Sequence, residues 1–262
     1  LSELGTIFLL KALLSARKNT QSLQLIYALN PLVIIELSGN IHFEAFMILF
    51  TLMAVWFINQ QRYLGSAAAL TLAILTKLLP LIFIPLFIKK LDWQRTIKYC
   101  ITCLMYAIIL NLTLVNNTDR FLNFAESLRL YYGKFEFNGS IYLMFRSIGQ
   151  MILSYNPIAV LSKIMIVFAL SGMIWIYYKK LELLNGIFWL LVIYLAFSAV
   201  VHPWYLSPLV ALSAFTRFRF ALVWSALIPL SYYTYIKVPY EENYWITGIE
   251  YLLVCGFLIW EL

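Results

Sequence analysis

The stretch LNPLVIIELSGNIHFEAF, residues 29–46, constrains this chain more than any other. Two apolar helical runs meet within it, and Glu36, Ser38, Gly39, Asn40, His42 and Glu44 fall at the junction. The surrounding sequence reads as membrane. Hydrophobic residues make up 63% of the chain and charged residues only 12%, where a soluble domain carries roughly 25% charged residues. Ionisable and amide groups between lipid-embedded helices are costly unless they face a cavity, so the junction marks a candidate functional site.

The implied class is an all-α, polytopic transmembrane bundle forming a single domain over 1–262. Cys100, Cys103 and Cys255 lie inside apolar runs and read as small core residues. A metal pair at Cys100 and Cys103 has no further Cys or His near it. The net charge of +7 is spread over loops, so it bears on membrane orientation and not on nucleic acid.

Leu1 opens directly into an apolar stretch with no Met and no charged leader, so the chain is expected to be an N-terminally truncated fragment. Helices are expected at about 2–15, 22–37, 41–58, 96–115, 157–177, 186–201, 204–216, 220–236 and 244–260. Pro31 is expected to loosen a turn inside the second, and Asn40 to cap the third. Residues 64–88 are apolar, with Lys77 and Pro80 near the middle. A single span would carry Lys89, Lys90, Arg95 and Lys98 to the side opposite Arg17, Lys18 and Arg62. A hairpin turning near Lys77–Pro80 keeps them together, and the positive-inside rule selects it. A polar segment, 116–138, and a short interfacial or re-entrant run, 140–153, interrupted by Arg146, complete about 10–12 helices. On this map eleven cations (17, 18, 62, 89, 90, 95, 98, 179, 180, 217 and 219) are cytoplasmic. Arg120, Arg129, Lys134 and Lys237 fall in outer loops.

The outer face then collects Glu36, Asn40, His42, Glu44, residues 126–138, Arg146, His202, Trp204, Tyr205, Glu241 and Glu242, with Lys77 at the hairpin tip. Acids, aromatics and a few cations on one face suit a sugar beside a phosphate. Glu36 and Glu44 are the candidates to activate a hydroxyl. Asn40, His42, His202, Trp204 and Tyr205 are candidates for sugar binding, the Trp and Tyr rings by stacking on a pyranose. Lys77 and Arg146 are candidates to hold a lipid phosphate. Each has a plainer reading. Glu44 suits a helix N-terminus, Glu36 can be simply wet at a helix end, and His42 can bond a carbonyl. Lys77 and Arg146 can snorkel. Trp204 and Tyr205 can belong to an aromatic belt, Tyr131, Tyr132, Phe135 and Phe137 to an amphipathic belt helix, and Glu241 and Glu242 to a solvated loop. Glu36, His42 and Glu44 are of types that suit a divalent cation, but no cofactor is expected.

The run NPLVIIELSGNIHFEAF, the small-residue helix ending in KLLP, and the later VHPWYLSPL together resemble bacterial polytopic glycosyltransferases of the GT-C superfamily. LYYGKFEFNGSIYLMFR and the terminal VWSALIPLSYYTY…EENYWITGIEYL are similar to later regions of the same group. The nearest resemblance is to the polyprenyl-phosphate-mannose-dependent mannosyltransferases. It implies a multi-pass protein of the cell (inner) membrane that takes a sugar from a polyprenyl-phosphate donor on the extracytoplasmic face, with inversion. It also implies a catalytic acid in a first outer loop, which this sequence lacks. The other reading is a transporter or flippase of a lipid-linked or small solute. No internal repeat supports it, and the polar groups gather at one face.

Overall fold

A computed structural model describes residues 1–17, 22–112, 118–153, 155–236 and 242–262, and the elements in them are helices. Among the described residues β pairing is confined to a bridge of Phe137 and Asn138 with Val200. Helix α1 (Ser2–Ala16) is followed by the short α2 (Leu25–Ala28). The expected helix over 22–37 is therefore split. Asn30-Pro31 starts a helix instead of loosening one: Asn30 Oδ1 accepts from Val33 N at 3.3 Å, and Pro31 takes the first turn, where its missing N–H costs nothing. That helix, α3 (Pro31–Gly39), ends in a π-helical turn from Ile34 to Gly39.

Helix α4 (Glu44–Asn59) leaves α3 at a 109° bend. Asn40 is not its cap, because Phe43 occupies that position and the Asn40 side chain turns back to Glu36. Helix α5 (Tyr63–Thr76) is rich in Gly, Ala and Ser, which lets helices approach closely. Its Gly65 packs on the Phe57 ring of α4. Lys77 is extended, and α6 (Leu79–Ile88) follows before α7 (Trp93–Leu110). Arg95 Nη1 donates to Tyr63 Oη at 3.1 Å, Ser66 and Tyr99 hydroxyls meet at 3.0 Å, and Thr71 bonds the Cys103 carbonyl. Helices α5 and α7 thus run parallel from one end, and α6 brings the chain back. Residues 64–88 form a hairpin.

The polar segment 116–138 is mostly helix, α8 (Thr118–Lys134), followed by α9 (Ser140–Leu153). Helices α10 (Ile158–Tyr178) and α11 (Leu183–Phe197) come next. The expected helix over 204–216 is a 3-10 turn, Pro203–Leu206, leading into α12 (Ser207–Ser213). Every residue of α12 is buried; a helix apolar on all sides belongs at the centre of the bundle. Helices α13 (Phe220–Ile236) and α14 (Tyr244–Glu261) finish the chain.

Among the described residues α10, only 11% buried, is long and apolar enough by itself to cross a membrane. Helices α3 and α4 pass that test together, while α5, α6, α11 and α13 are shorter apolar pieces. Among the described residues the 10–12 expected helices thus correspond to many short segments, with one helix of full spanning length by itself.

The cation-bearing turns share one end. Arg17 pairs with Glu182 and donates to the Phe215 carbonyl, while Lys89 donates to the carbonyls of Tyr177 and Lys179. Arg219 bonds the carbonyls of Ser213 and Thr216. Lys18 and Lys237 lie outside the described residues.

Candidate functional site

The π-helical turn sets the site's first residue. Widening the turn adds a residue and rotates the chain beyond it, a device frequent at functional sites. Here it accompanies an inward Glu36, which is 1% exposed. Both its oxygens are taken. Oε1 accepts from Tyr232 Oη at 2.7 Å, while Oε2 accepts from Asn40 Nδ2 at 3.1 Å and lies 3.3 Å from His42 Nε2. Between Asn40 and His42 the chain passes through Ile41 at φ 57°. A β-branched residue there costs roughly 1–3 kcal/mol, so the surrounding contacts must hold it.

From His42 a column of rings crosses the bundle. His42 stacks on Trp204 at 4.0 Å and His202 on Trp204 at 4.3 Å. Two imidazoles so close have no room side by side on one indole face, so Trp204 is sandwiched. Its faces are filled by this protein's own rings and are not open to a pyranose, contrary to the stacking role expected for it. Phe137 stacks on His202 at 4.7 Å and on Tyr235 at 5.3 Å. Tyr235 lies 6.3 Å from Tyr232, whose hydroxyl returns to Glu36, so the circuit closes. Burial, with the nearby charges of Lys77 and His42, pushes the His202 imidazole down to about 4, so it is neutral at physiological pH.

Behind this circuit is a cavity of about 440 Å³. Its polar end holds Glu44 and Lys77, paired at 3.1 Å. Glu44 is 2% exposed, and its Oε2 is buried without a partner. Met47, Leu78, Leu79, Leu81, Ile82 and Leu128 make the walls largely apolar. Tyr205 lines the cavity and turns its edge to His202 and Trp204, so it joins the cavity to the ring column. The structure therefore brings Glu44, Lys77 and Tyr205 to the cavity, with Glu36, Asn40, His42, His202 and Trp204 in the wall of rings beside it. For a divalent cation the arrangement is divided, since Glu44 turns to Lys77 while Glu36 and His42 face each other. Among the described residues no three His, Cys, Asp or Glu side chains form a group that could hold a metal ion.

Arg146 lies elsewhere. Its Nε is 3.1 Å from Glu136 Oε2 and its Nη1 3.8 Å from Glu242 Oε2, and it does not line the cavity. Glu242 is correspondingly no solvated loop residue. It accepts from the Asn138 amide at 2.5 Å, and burial raises its carboxyl above the ordinary range. Glu241 and the side chains of Tyr131, Tyr132 and Lys134 lie outside the described residues. Next to this cluster Glu250 is fully buried and accepts from Trp224 Nε1 at 2.9 Å and Asn138 Nδ2 at 3.2 Å. Sequence reasoning missed Glu250. A lone acid inside the run ITGIEYLLV was the available signal, by the same cost argument that singled out Glu36.

Residues 6–91 match the family described as alpha-(1->6)-mannopyranosyltransferase, N-terminal domain. The matched segment contains Glu36, Asn40, His42, Glu44 and Lys77 and stops short of Arg146, His202, Trp204 and Tyr205. The match supports mannosyl transfer, and glycosyltransferase activity in general. No curated protein and no solved structure matches the chain.

Proposed function

We propose that this protein is an integral-membrane glycosyltransferase that moves mannose from a polyprenyl-phosphate donor to an acceptor on the extracytoplasmic face of the cell membrane. The observation that carries this reading is a buried carboxylate paired with an ammonium in the lining of a largely apolar cavity, both inside the segment that matches a mannosyltransferase family. The apolar walls suit the isoprenoid tail, and Lys77 suits the phosphate. The exposed apolar surface of α10 supports residence in a bilayer. Polar groups gathered at one end favour this reading over a transporter, whose sites lie near the midplane.

In the transfer step an acceptor hydroxyl oxygen bonds to the sugar's anomeric carbon. The bond from that carbon to the phosphate oxygen breaks, and its electron pair leaves with the phosphate. The hydroxyl proton goes to the carboxylate of Glu44, which lines the cavity. Glu36, with both oxygens occupied, positions His42 and Tyr232. Removal of a charge-assisted phosphate contact costs roughly 1.5–3 kcal/mol, one to two decades in affinity. Lys77→Ala should therefore weaken binding of polyprenyl-phosphate mannose to the purified protein tenfold or more. Unchanged affinity would mean that Lys77 serves only Glu44 and that the phosphate is held elsewhere.

A further inference from the structure

Lys77 has one ammonium, and two anions have a claim on it. Glu44 Oε1 holds it at 3.1 Å, and the other oxygen of the same carboxylate is buried with no donor to satisfy it. A buried carboxylate oxygen without a partner is expensive and is kept where something else supplies the missing proton or donor. The pair lines the cavity, and Lys77, at 38% side-chain exposure, can swing where Glu44, at 3%, cannot. The extended backbone at Lys77 sits between two helices.

We propose that Glu44 is a masked base: Lys77 neutralises it until the donor binds, and the donor phosphate draws Lys77 away and exposes the carboxylate only when the sugar is in place. The inference rests on the donor reading above and adds its regulation. Phosphate and carboxylate compete for one cation, so the phosphate is bound against the strength of the Lys77–Glu44 pair. Once Lys77 turns to the phosphate, Glu44 Oε1 is left without its cation. The carboxylate is then free to take the proton of an acceptor hydroxyl as the new glycosidic bond forms and the phosphate departs. Before the donor arrives, the same carboxylate is held on its lysine.

Competition has a sign that a wall-forming role lacks. Removing the carboxylate should tighten phosphate binding, whereas damage to the cavity would loosen it. The test measures binding of farnesyl phosphate and of farnesol to the full chain in detergent, for wild type, Glu44→Gln and Glu44→Ala. The expected result is about tenfold tighter farnesyl phosphate binding in both variants, unchanged farnesol binding, and loss of mannosyl transfer. If wild type prefers farnesyl phosphate to farnesol and neither variant binds the phosphate more tightly, the masking is overturned and the donor reading survives. If wild type shows no preference for the phosphate, the donor reading fails, and the masking fails with it.

Discussion

At the scale of single residues the site depends on which partners its polar groups find. His202 is the clearest case. Its imidazole titrates near 6.5 in an unfolded chain and near 4 when folded, so the native state binds fewer protons between those values. Stability from this source is complete above pH 6.5 and is lost as pH falls through about 4, a loss of up to about 3 kcal/mol. His202→Phe keeps a ring in the column and removes the titration. Melting temperatures in detergent from pH 6.5 to 4 should fall less steeply for the variant than for wild type; equal slopes would assign the acid loss to other groups. The polar residues themselves were legible in the sequence, because each interrupts an apolar run at a cost. Their pairings were not. Nothing in HPWY says that Trp204 has both faces covered, and nothing near Arg146 says that it answers Glu136 and Glu242, which are distant or buried only through folding.

At the scale of elements, the connections between helices carry the site. The bridge between 137–138 and 200 ties the segment before α9 to the one after α11. Gly139 makes it possible: a β-carbon there would stand 2.9 Å from the Ser198 carbonyl oxygen and 3.0 Å from that of Ala199. Both are backbone atoms and cannot rotate aside. Gly139→Ala should cost about 1–3 kcal/mol and show as a lower melting temperature. An unchanged value would mean that the two segments can separate freely. The sequence revealed the hairpin over 64–88 through its charges, since a single span would have scattered the cations. The start of α3 was hidden because Asn-Pro suits both the entry of a helix and a break within one. Helix α8 was hidden because its polar composition reads equally as a loop, and no core face distinguishes the two.

For the molecule as a whole, the contacts of Arg17, Lys89, Arg95 and Arg219 sort the turns to one end and leave the cavity and ring column to the other. Single cysteines at Gln60→Cys and Lys90→Cys should accordingly react with an impermeant thiol reagent from the same face of sealed vesicles. Labelling from opposite faces would break the hairpin. The all-α class was plain from composition, but the number of full spans was not, since hydropathy counts apolar residues and not where helices stop. The closed circuit of Glu36, His42, Trp204, His202, Phe137, Tyr235 and Tyr232 also has a consequence in time. Glu36 and Tyr232 are 196 residues apart, and a ribosome adding about 5–20 residues each second needs about 10–40 s to cover that distance. Through that interval the newborn chain carries a carboxylate destined for burial with its last partner not yet made. The wall of rings is therefore closed late in synthesis, and a chain cut short before Tyr232 would leave that wall open.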